Sequence, residues 1–386
     1  MNIFIIARGY PSKNDPTWGC FEKDQAIALA NLGHRITILS VDTRFRRYWR
    51  PLGIQHIEEE NISIYNIFII PYALLFFLPA FIKDYFFSKL LEIVYLKAIA
   101  KQGKPDILYS HYLHNTHKAL RIKRKFDIPL VAIEHSSELG YTNISKSIVD
   151  LANKTYPNVD QLITVSSFLK ENILKYIPLD NILIVPNVVG PDFTYKLTAK
   201  NEKMFKIISI GSYIHRKGFD ILIEALALAH PMLQGDWEAI IIGGGELEST
   251  LKQRIHSHHL QQHIQLLGKK DKKEIIQTLQ NSDIFVLASR SETFGVVYIE
   301  ALACGLPIIA TDCGGPRDIV TTENGILIPS DDVNALSKAI VNMQKNIYSY
   351  NSETIAWGCR NHFAPEIIAK RLISIFEETI KKHKEH

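Results

Sequence analysis

A chain of 386 residues is longer than one hydrophobic core ordinarily serves, so two domains of ordinary size are expected. A formal net charge of +4 with 22% charged residues is too mild a basic excess for a nucleic-acid binder. No apolar run reaches the roughly 18 to 20 residues that span a bilayer, the N-terminus lacks a basic leader and cleavage site, and four cysteines without metal-ligand spacing suit reduced thiols, which together describe a cytoplasmic protein, soluble or peripheral at the inner face of a plasma membrane.

In chain order, residues 3–7 read as a buried strand, 22–32 as a helix closed by Gly33, and 36–41 as the next strand. Residues 106–110, 130–133 and 162–165 read as buried parallel strands with helical stretches between them. The first half is therefore a doubly wound α/β domain. Around 186–203, Pro-Asn, Gly-Pro and a polar run break the alternation and read as a linker. A second alternation follows: strand 206–210, helix 218–229, strand 238–242, helix 246–258 and strand 284–288. A last helix covers 365–381.

The most informative segment is Ser291-Glu292-Thr293-Phe294-Gly295-Val296-Val297-Tyr298-Ile299-Glu300, two carboxylates eight positions apart across a strand-to-helix junction. Gly295 before an apolar helix start offers backbone N–H groups and the positive end of a dipole, which suits a phosphate. The glutamates flanking it suit hydroxyls, so a sugar on each side of a phosphate is the ligand indicated. Ala301-Leu302-Ala303-Cys304-Gly305-Leu306-Pro307 ends the helix at Gly305 and starts a strand, which places Glu300 on a short helix between buried strands. Gly211-Ser212-Tyr213-Ile214-His215-Arg216-Lys217-Gly218 follows another strand, and its Arg-Lys pair suits a diphosphate.

The stretch from Ser289 to Asp318 resembles the signature of the retaining glycosyltransferases of family 4, which have the GT-B fold, and a weaker likeness runs in motif order from residue 1 to about 375. The resemblance implies two Rossmann-like doubly wound parallel-sheet domains facing across a cleft: an acceptor-binding domain at 1–195, a nucleotide-sugar-binding domain at 196–364, and a helix at 365–386 returning to the first domain. It implies that Glu300 accepts from the ribose hydroxyls and that Glu292 faces the donor sugar. Phe294, Gly295, Val296 and Val297 would offer N–H groups to phosphate or sugar oxygens. Lys217 matches the family lysine. Ser212 stands where an Arg is usual, with Arg216 as the substitute. Gly243, in Gly243-Gly244-Gly245, resembles the family's second glycine loop, and Lys270 lies where the base is held. Gly19 would let backbone approach the diphosphate. His135, ending the strand 130–133, is the candidate beside the transferred sugar, with His111 and His114 as acceptor-side candidates.

No Asp-x-Asp pair occurs, so the leaving diphosphate would rely on Lys217, Arg216 and helix N-termini, and no metal or other cofactor is expected beside the nucleotide-sugar co-substrate. The aromatic-rich run 71–87 and the cluster Arg44–Arg50 admit core packing and solvated surface, or contact with an anionic membrane and a lipid-linked acceptor. The leading reading is a retaining hexosyltransferase of surface or capsular polysaccharide synthesis, acting on a glycan or lipid-linked acceptor. The alternatives are a GT-B sugar-nucleotide epimerase and an inactive nucleotide- or glycan-binding scaffold.

Overall fold

The apolar run after Met1 lies down as β1 (Asn2–Ala7), buried almost throughout because a parallel strand takes neighbours on both edges and helices on both faces. The computed structural model describes residues 1–15, 18–45, 51–59, 61–69, 79–140, 143–197 and 204–385. They form two compact units, Met1–Val188 with Pro365–His386, and Val189–Ala364.

In the first unit, α1 (Cys20–Asn31) ends where Gly33, at φ 84°, turns its N–H back onto the Ala30 carbonyl. Then come β2 (Arg35–Asp42), β3 (Gly53–Glu59), β4 (Ile62–Phe68), α2 (Ala80–Gln102), β5 (Ile107–His111), α3 (Leu113–Phe126), β6 (Leu130–Glu134), α4 (Lys146–Thr155), β7 (Gln161–Thr164), α5 (Ser167–Leu174) and β8 (Ile182–Ile184). The sheet order is β3-β4-β2-β1-β5-β6-β7-β8. Its departure from the expected all-parallel sheet is β3, which pairs antiparallel with β4. The connection between them is too short for a crossover helix, and a hairpin is the remaining solution. Its Glu58 and Glu59 make this edge strand polar. Leu91, Val94, Tyr95 and Ala98 of α2 close the core over Phe4, Tyr65 and Leu108.

The second unit begins earlier than the expected 196. The Val189 N–H donates to the Phe363 carbonyl, Phe193 is buried, and Gln280 Nε2 donates to the Thr194 carbonyl, so 189–195 is already tied down there. The rest of the expected linker, 198–203, lies outside the described residues. The unit continues with β9 (Met204–Ile210), α6 (Phe219–Ala229), β10 (Asp236–Ile242), α7 (Glu248–Ser257), β11 (Ile264–Gly268), α8 (Lys272–Gln280), β12 (Ile284–Leu287), α9 (Val296–Ala303), β13 (Ile308–Thr311), β14 (Gly325–Ile328), α10 (Val333–Lys345) and α11 (Ser352–Phe363). The sheet is parallel throughout its described strands, in the order β11-β10-β9-β12-β13-β14. α8 starts at a capping box between Asp271 and Glu274.

The final helix, α12 (Pro365–Glu385), belongs to the first unit, where Phe376 is fully buried edge-on to Tyr109. Each sheet reverses direction once near its middle, between β1 and β5 in one and β9 and β12 in the other. Loops leaving the carboxyl ends of those strands diverge there and open a crevice.

Candidate active site

At the β9/β12 reversal the two loops carry the residues singled out by chemistry. Lys217 follows β9 and Glu292 follows β12, and the Lys217 ammonium is paired directly with Glu292 Oε1. Both side chains are largely buried. Ser289 Oγ donates to the same carboxylate oxygen at 2.9 Å. The Glu292 backbone is clamped too: its N–H donates to the Cys313 carbonyl at 3.2 Å and its carbonyl accepts from the Gly315 N–H at 2.8 Å. Gly315 permits this approach, since a Cβ there would stand 2.3 Å from Phe294 Cα.

Beneath the pair, Arg290 fastens the loops together. Its guanidinium donates to both Asp220 oxygens, at 2.9 and 2.8 Å, to the His215 carbonyl at 2.7 Å and to Asp331 at 2.7 Å. The Arg290 N–H donates to the Arg216 carbonyl. Burial alone would raise the Asp220 carboxyl, but the hydrogen bonds and charge of Arg290 hold it below the ordinary value. Arg216 reaches the Ser291 carbonyl at 3.4 Å, which puts a second cation one residue from Lys217. The glycine loop after β10 abuts the same turn: a Cβ at Gly243 would lie 1.8 Å from the Gly211 oxygen.

Gly295, at φ 95°, is the N-cap of α9, and no side chain caps that helix. The Phe294 ring turns inward, edge-on to Phe363, so only its backbone is left for a ligand. Val296 and Val297 form the first turn and Glu300 the second, half-buried. Lys270 follows β11, whose Gly268 carbonyl accepts from the Gly243 N–H. Its ammonium pairs with Glu274, one turn along, at 2.9 Å.

The first unit builds a second cluster at its own reversal. His135, just past β6, stacks on His111 of β5 with the planes 6° apart, and His111 Nδ1 lies 3.1 Å from His135 Nε2. His135 Nδ1 lies 3.0 Å from Asn187 Oδ1. An amide oxygen only accepts, so His135 carries its proton on Nδ1 and its Nε2 accepts from His111. Beside them, Arg8 pairs with the buried Glu22 and covers the Tyr112 ring at 3.8 Å. Burial, with the charge of Arg8 and, for His135, that of His111, pushes both imidazoles down to about 3, so they are neutral at pH 7. Glu134 is fully buried; desolvation raises its carboxyl against the Tyr156 hydroxyl and three backbone N–H groups that it accepts from. His114 is apart from this pair, exposed on α3 with Glu138 at 3.9 Å. Gly19 has a local reason to be glycine: at φ 81° its Cβ would meet the Gly9 oxygen at 2.4 Å.

The neutral histidine pair predicts a pH dependence. In the unfolded chain both rings bind a proton near pH 6.5, whereas the folded state takes them up only near pH 3. Between those values the unfolded state holds more protons, so stability falls as the pH falls, by about 1 kcal/mol per pH unit per ring. Hydrogen exchange of β5 and β6 amides should therefore lose about 2 kcal/mol of protection from pH 6.5 to 5.5. A His111→Asn variant should lose about half as much.

Ser289, Arg290, Asp220 and Asn187 were not among the residues expected at either site. Arg290 stands beside the Glu292 segment, so a cation next to Ser291-Glu292 was the available signal. Asn187 sat in a Pro-Asn pair read as a connector.

The sequence pattern described as Glycosyl transferases group 1 matches residues 194–351, and that of Glycosyltransferase Family 4 matches 23–193. An uncharacterized glycosyltransferase of Methanocaldococcus jannaschii is 30% identical over 254 residues, 65% of this chain and 68% of that one. The chain belongs to the group 1 glycosyl transferases. This glycosyltransferase is also 28% identical over 331 residues to the GPI3 subunit of the phosphatidylinositol N-acetylglucosaminyltransferase of Saccharomyces cerevisiae, covering 81% of this chain and 69% of that one. It is 25% identical to TuaC, a Bacillus subtilis glycosyltransferase assigned to teichuronic acid biosynthesis, over 88% of each chain. Among solved structures, sucrose-phosphate synthase from Thermosynechococcus elongatus superposes with a TM-score of 0.79 at 18% identity, covering 99% of this chain and 100% of that one. Anabaena HepE in complex with UDP and glucose gives 0.72 at 17% identity, over 98% and 100%. The fold of this glycosyltransferase is GT-B.

Proposed function

We propose that this glycosyltransferase is retaining and metal-independent, and that it moves a hexosyl group from a UDP-linked sugar to a glycan or lipid-linked acceptor in the cytoplasmic assembly of a bacterial surface polysaccharide. The observation that carries this reading is the Lys217–Glu292 pair at the β9/β12 crevice, with Arg216 beside it and the uncapped N-terminus of α9 next along the chain. Fixed cations and backbone dipoles of this kind meet the charge that develops on a departing diphosphate at little reorganisation cost. Likeness to HepE, solved with UDP, supports the donor, and likeness to TuaC supports a surface glycan.

In this reading the second unit takes the donor and the first takes the acceptor. Glu300 accepts from the ribose hydroxyls, the N–H groups of 294–297 and Gly243 approach the diphosphate, and Lys270 lies toward the base. Glu292 faces the transferred sugar. The acceptor hydroxyl attacks from the face the diphosphate leaves, and a diphosphate oxygen takes its proton, so the anomeric configuration is kept. His135 lies near the transferred sugar as a neutral ring that neither gives nor takes a proton, since both of its ring nitrogens are held, with the Gly19 backbone toward the donor diphosphate and His111 and His114 on the acceptor side.

A thermal-shift and hydrolysis screen against UDP-, GDP-, ADP- and CMP-sugars, with and without EDTA, tests the donor. Stabilisation by UDP-sugars and slow hydrolysis despite EDTA are expected; no shift with any nucleotide would overturn the reading in favour of an inactive scaffold. NMR of the released or transferred sugar should show the donor's anomeric configuration. Glu300→Ala should weaken nucleotide binding about 10- to 100-fold, the loss that follows from removing a charged hydrogen-bond partner.

A further inference from the structure

Helix α2 is apolar on two sides. Its inner side, Phe87, Leu91, Val94, Tyr95 and Ala98, is buried in the first unit's core. Its outer side carries Ile82, Phe86, Ile93 and Leu96, all exposed, with Tyr85 and Phe81 continuing the surface at the helix start. Spacings of 4, 7 and 3 put the first four on one stripe, which runs for roughly 20 Å at 1.5 Å per residue. No described element covers it, although a core needs only one face of this helix.

Cations border the stripe. Lys97 and Lys101 stand beside it on α2, Lys89 falls within it between Phe86 and Ile93, and Arg121, Arg124 and Lys125 stand on the adjoining α3. Lys89, Arg121 and Lys125 converge on a single carboxylate, Glu92, which is buried, so that cluster keeps a net positive charge. Arg121 also lies 5.1 Å from the Tyr85 ring centroid. Arg124 and Lys125, with Lys154 of α4, line a groove of about 1000 Å³ running past Phe81 and Tyr85, with Asp84 and Asp150 as its acids.

We propose that the outer face of α2 is a docking surface for an anionic lipid bilayer. No described helix is long and apolar enough to cross a membrane, and an apolar stripe between rows of Lys and Arg is the arrangement that lies in the headgroup plane. The side chains enter the acyl boundary while the lysine stems reach out to lipid phosphates. A second copy of the chain fits less well, because packing stripe on stripe would bring together two borders in which cations outnumber acids. The stripe takes in the end of the aromatic-rich run 71–87 that sequence reading indicated for membrane contact, at Phe81, Ile82, Tyr85 and Phe86, and extends it along α2 to Ile93 and Leu96. Residues 46–50 and 70–78 lie outside the described residues, and Arg44 is folded in, paired with Asp42 and Asp15 and stacked on Trp18 at 3.4 Å.

The test is flotation of the full chain with vesicles of phosphatidylcholine alone and of phosphatidylcholine with phosphatidylglycerol, over a salt series. Binding to the anionic vesicles, at least tenfold weaker on the neutral ones and weakened by salt, is expected. Ile93→Ser with Leu96→Ser should cut binding tenfold or more, and Lys97→Glu with Lys101→Glu by about fivefold or more per lysine. All four side chains are exposed, so the unfolding midpoint and the UDP-sugar thermal shift should stay as in the parent chain, which separates this proposal from the donor reading. Wild-type protein that ignores both vesicle types, or variants that bind as tightly as the parent, would overturn it. So would a stable dimer that the Ile93→Ser, Leu96→Ser variant dissociates.

Discussion

Exchange of Glu292 for glutamine is expected to lower kcat by about 10²- to 10⁴-fold, the usual range for removing one charged group that acts on the reacting centre. The glutamine keeps the shape, and its amide oxygen can still accept from Ser289 and Lys217, so the fold should survive. Alanine is a harsher change. It leaves the Lys217 ammonium, with its side chain only 14% exposed, without its carboxylate, and breaking such a pair costs about 3–5 kcal/mol. Two effects are then mixed, and a third variant separates them. Lys217→Met with Glu292→Gln removes the buried charge, so the thermal midpoint should return toward the parent value while turnover stays low. A Glu292→Gln enzyme with near-parental kcat would reduce Glu292 to an anchor for Lys217. Comparison of kcat and KM across the three variants reads this out directly.

Gly218→Ala should destabilise the second unit by about 2–5 kcal/mol, which would make it one of the most damaging single-methyl additions in the chain. Two costs add. At φ 64° the residue sits in the left-handed region, which L side chains rarely adopt, and its new Cβ would lie 1.8 Å from the Ala288 carbonyl oxygen. That oxygen cannot swing away, because Ala288 follows β12 directly and the loop beyond it holds Ser289 and Glu292. Gly33→Ala is the control. Its φ of 84° carries the same backbone penalty, but its Cβ would meet nothing within 4 Å, so about 1 kcal/mol is expected. Differential scanning calorimetry of the two variants separates backbone strain from collision. Equal losses would mean that the β9 and β12 loops are not held together as tightly as the geometry requires.

Four strands of the second unit, β9, β10, β12 and β13, could be read from the sequence because each is an apolar run between turn residues, whereas β11, half-exposed, and β14 were not read. Glu292 and Glu300 were legible for a different reason: two carboxylates around a glycine make poor sense in a buried strand–helix unit unless a ligand meets them. What could not be read was contact. Lys217 and Glu292 are 75 positions apart, and they meet because the strand order reverses between β9 and β12, a property of topology. His111 and His135 likewise meet only because β5 and β6 are neighbours. The β3–β4 hairpin escaped notice because polar residues interrupt its edge strand. Arg290 was passed over because an arginine next to a carboxylate segment reads as an ordinary surface cation, whereas here it bridges three stretches of backbone.

The helix α12 has a consequence for biosynthesis. The first unit begins at the start of the chain, yet its core includes Ile368, Leu372 and Phe376, which are translated after the whole of the second unit. At about 5–20 residues per second, roughly ten to forty seconds pass between Val188 and Phe376. Throughout that interval the patch around Tyr109 lacks its covering helix, while the second unit, contiguous in sequence, emerges with every strand it needs. The order of completion on the ribosome is thus the reverse of the order of synthesis: the inserted unit closes first, and the unit that started the chain is sealed by its last helix.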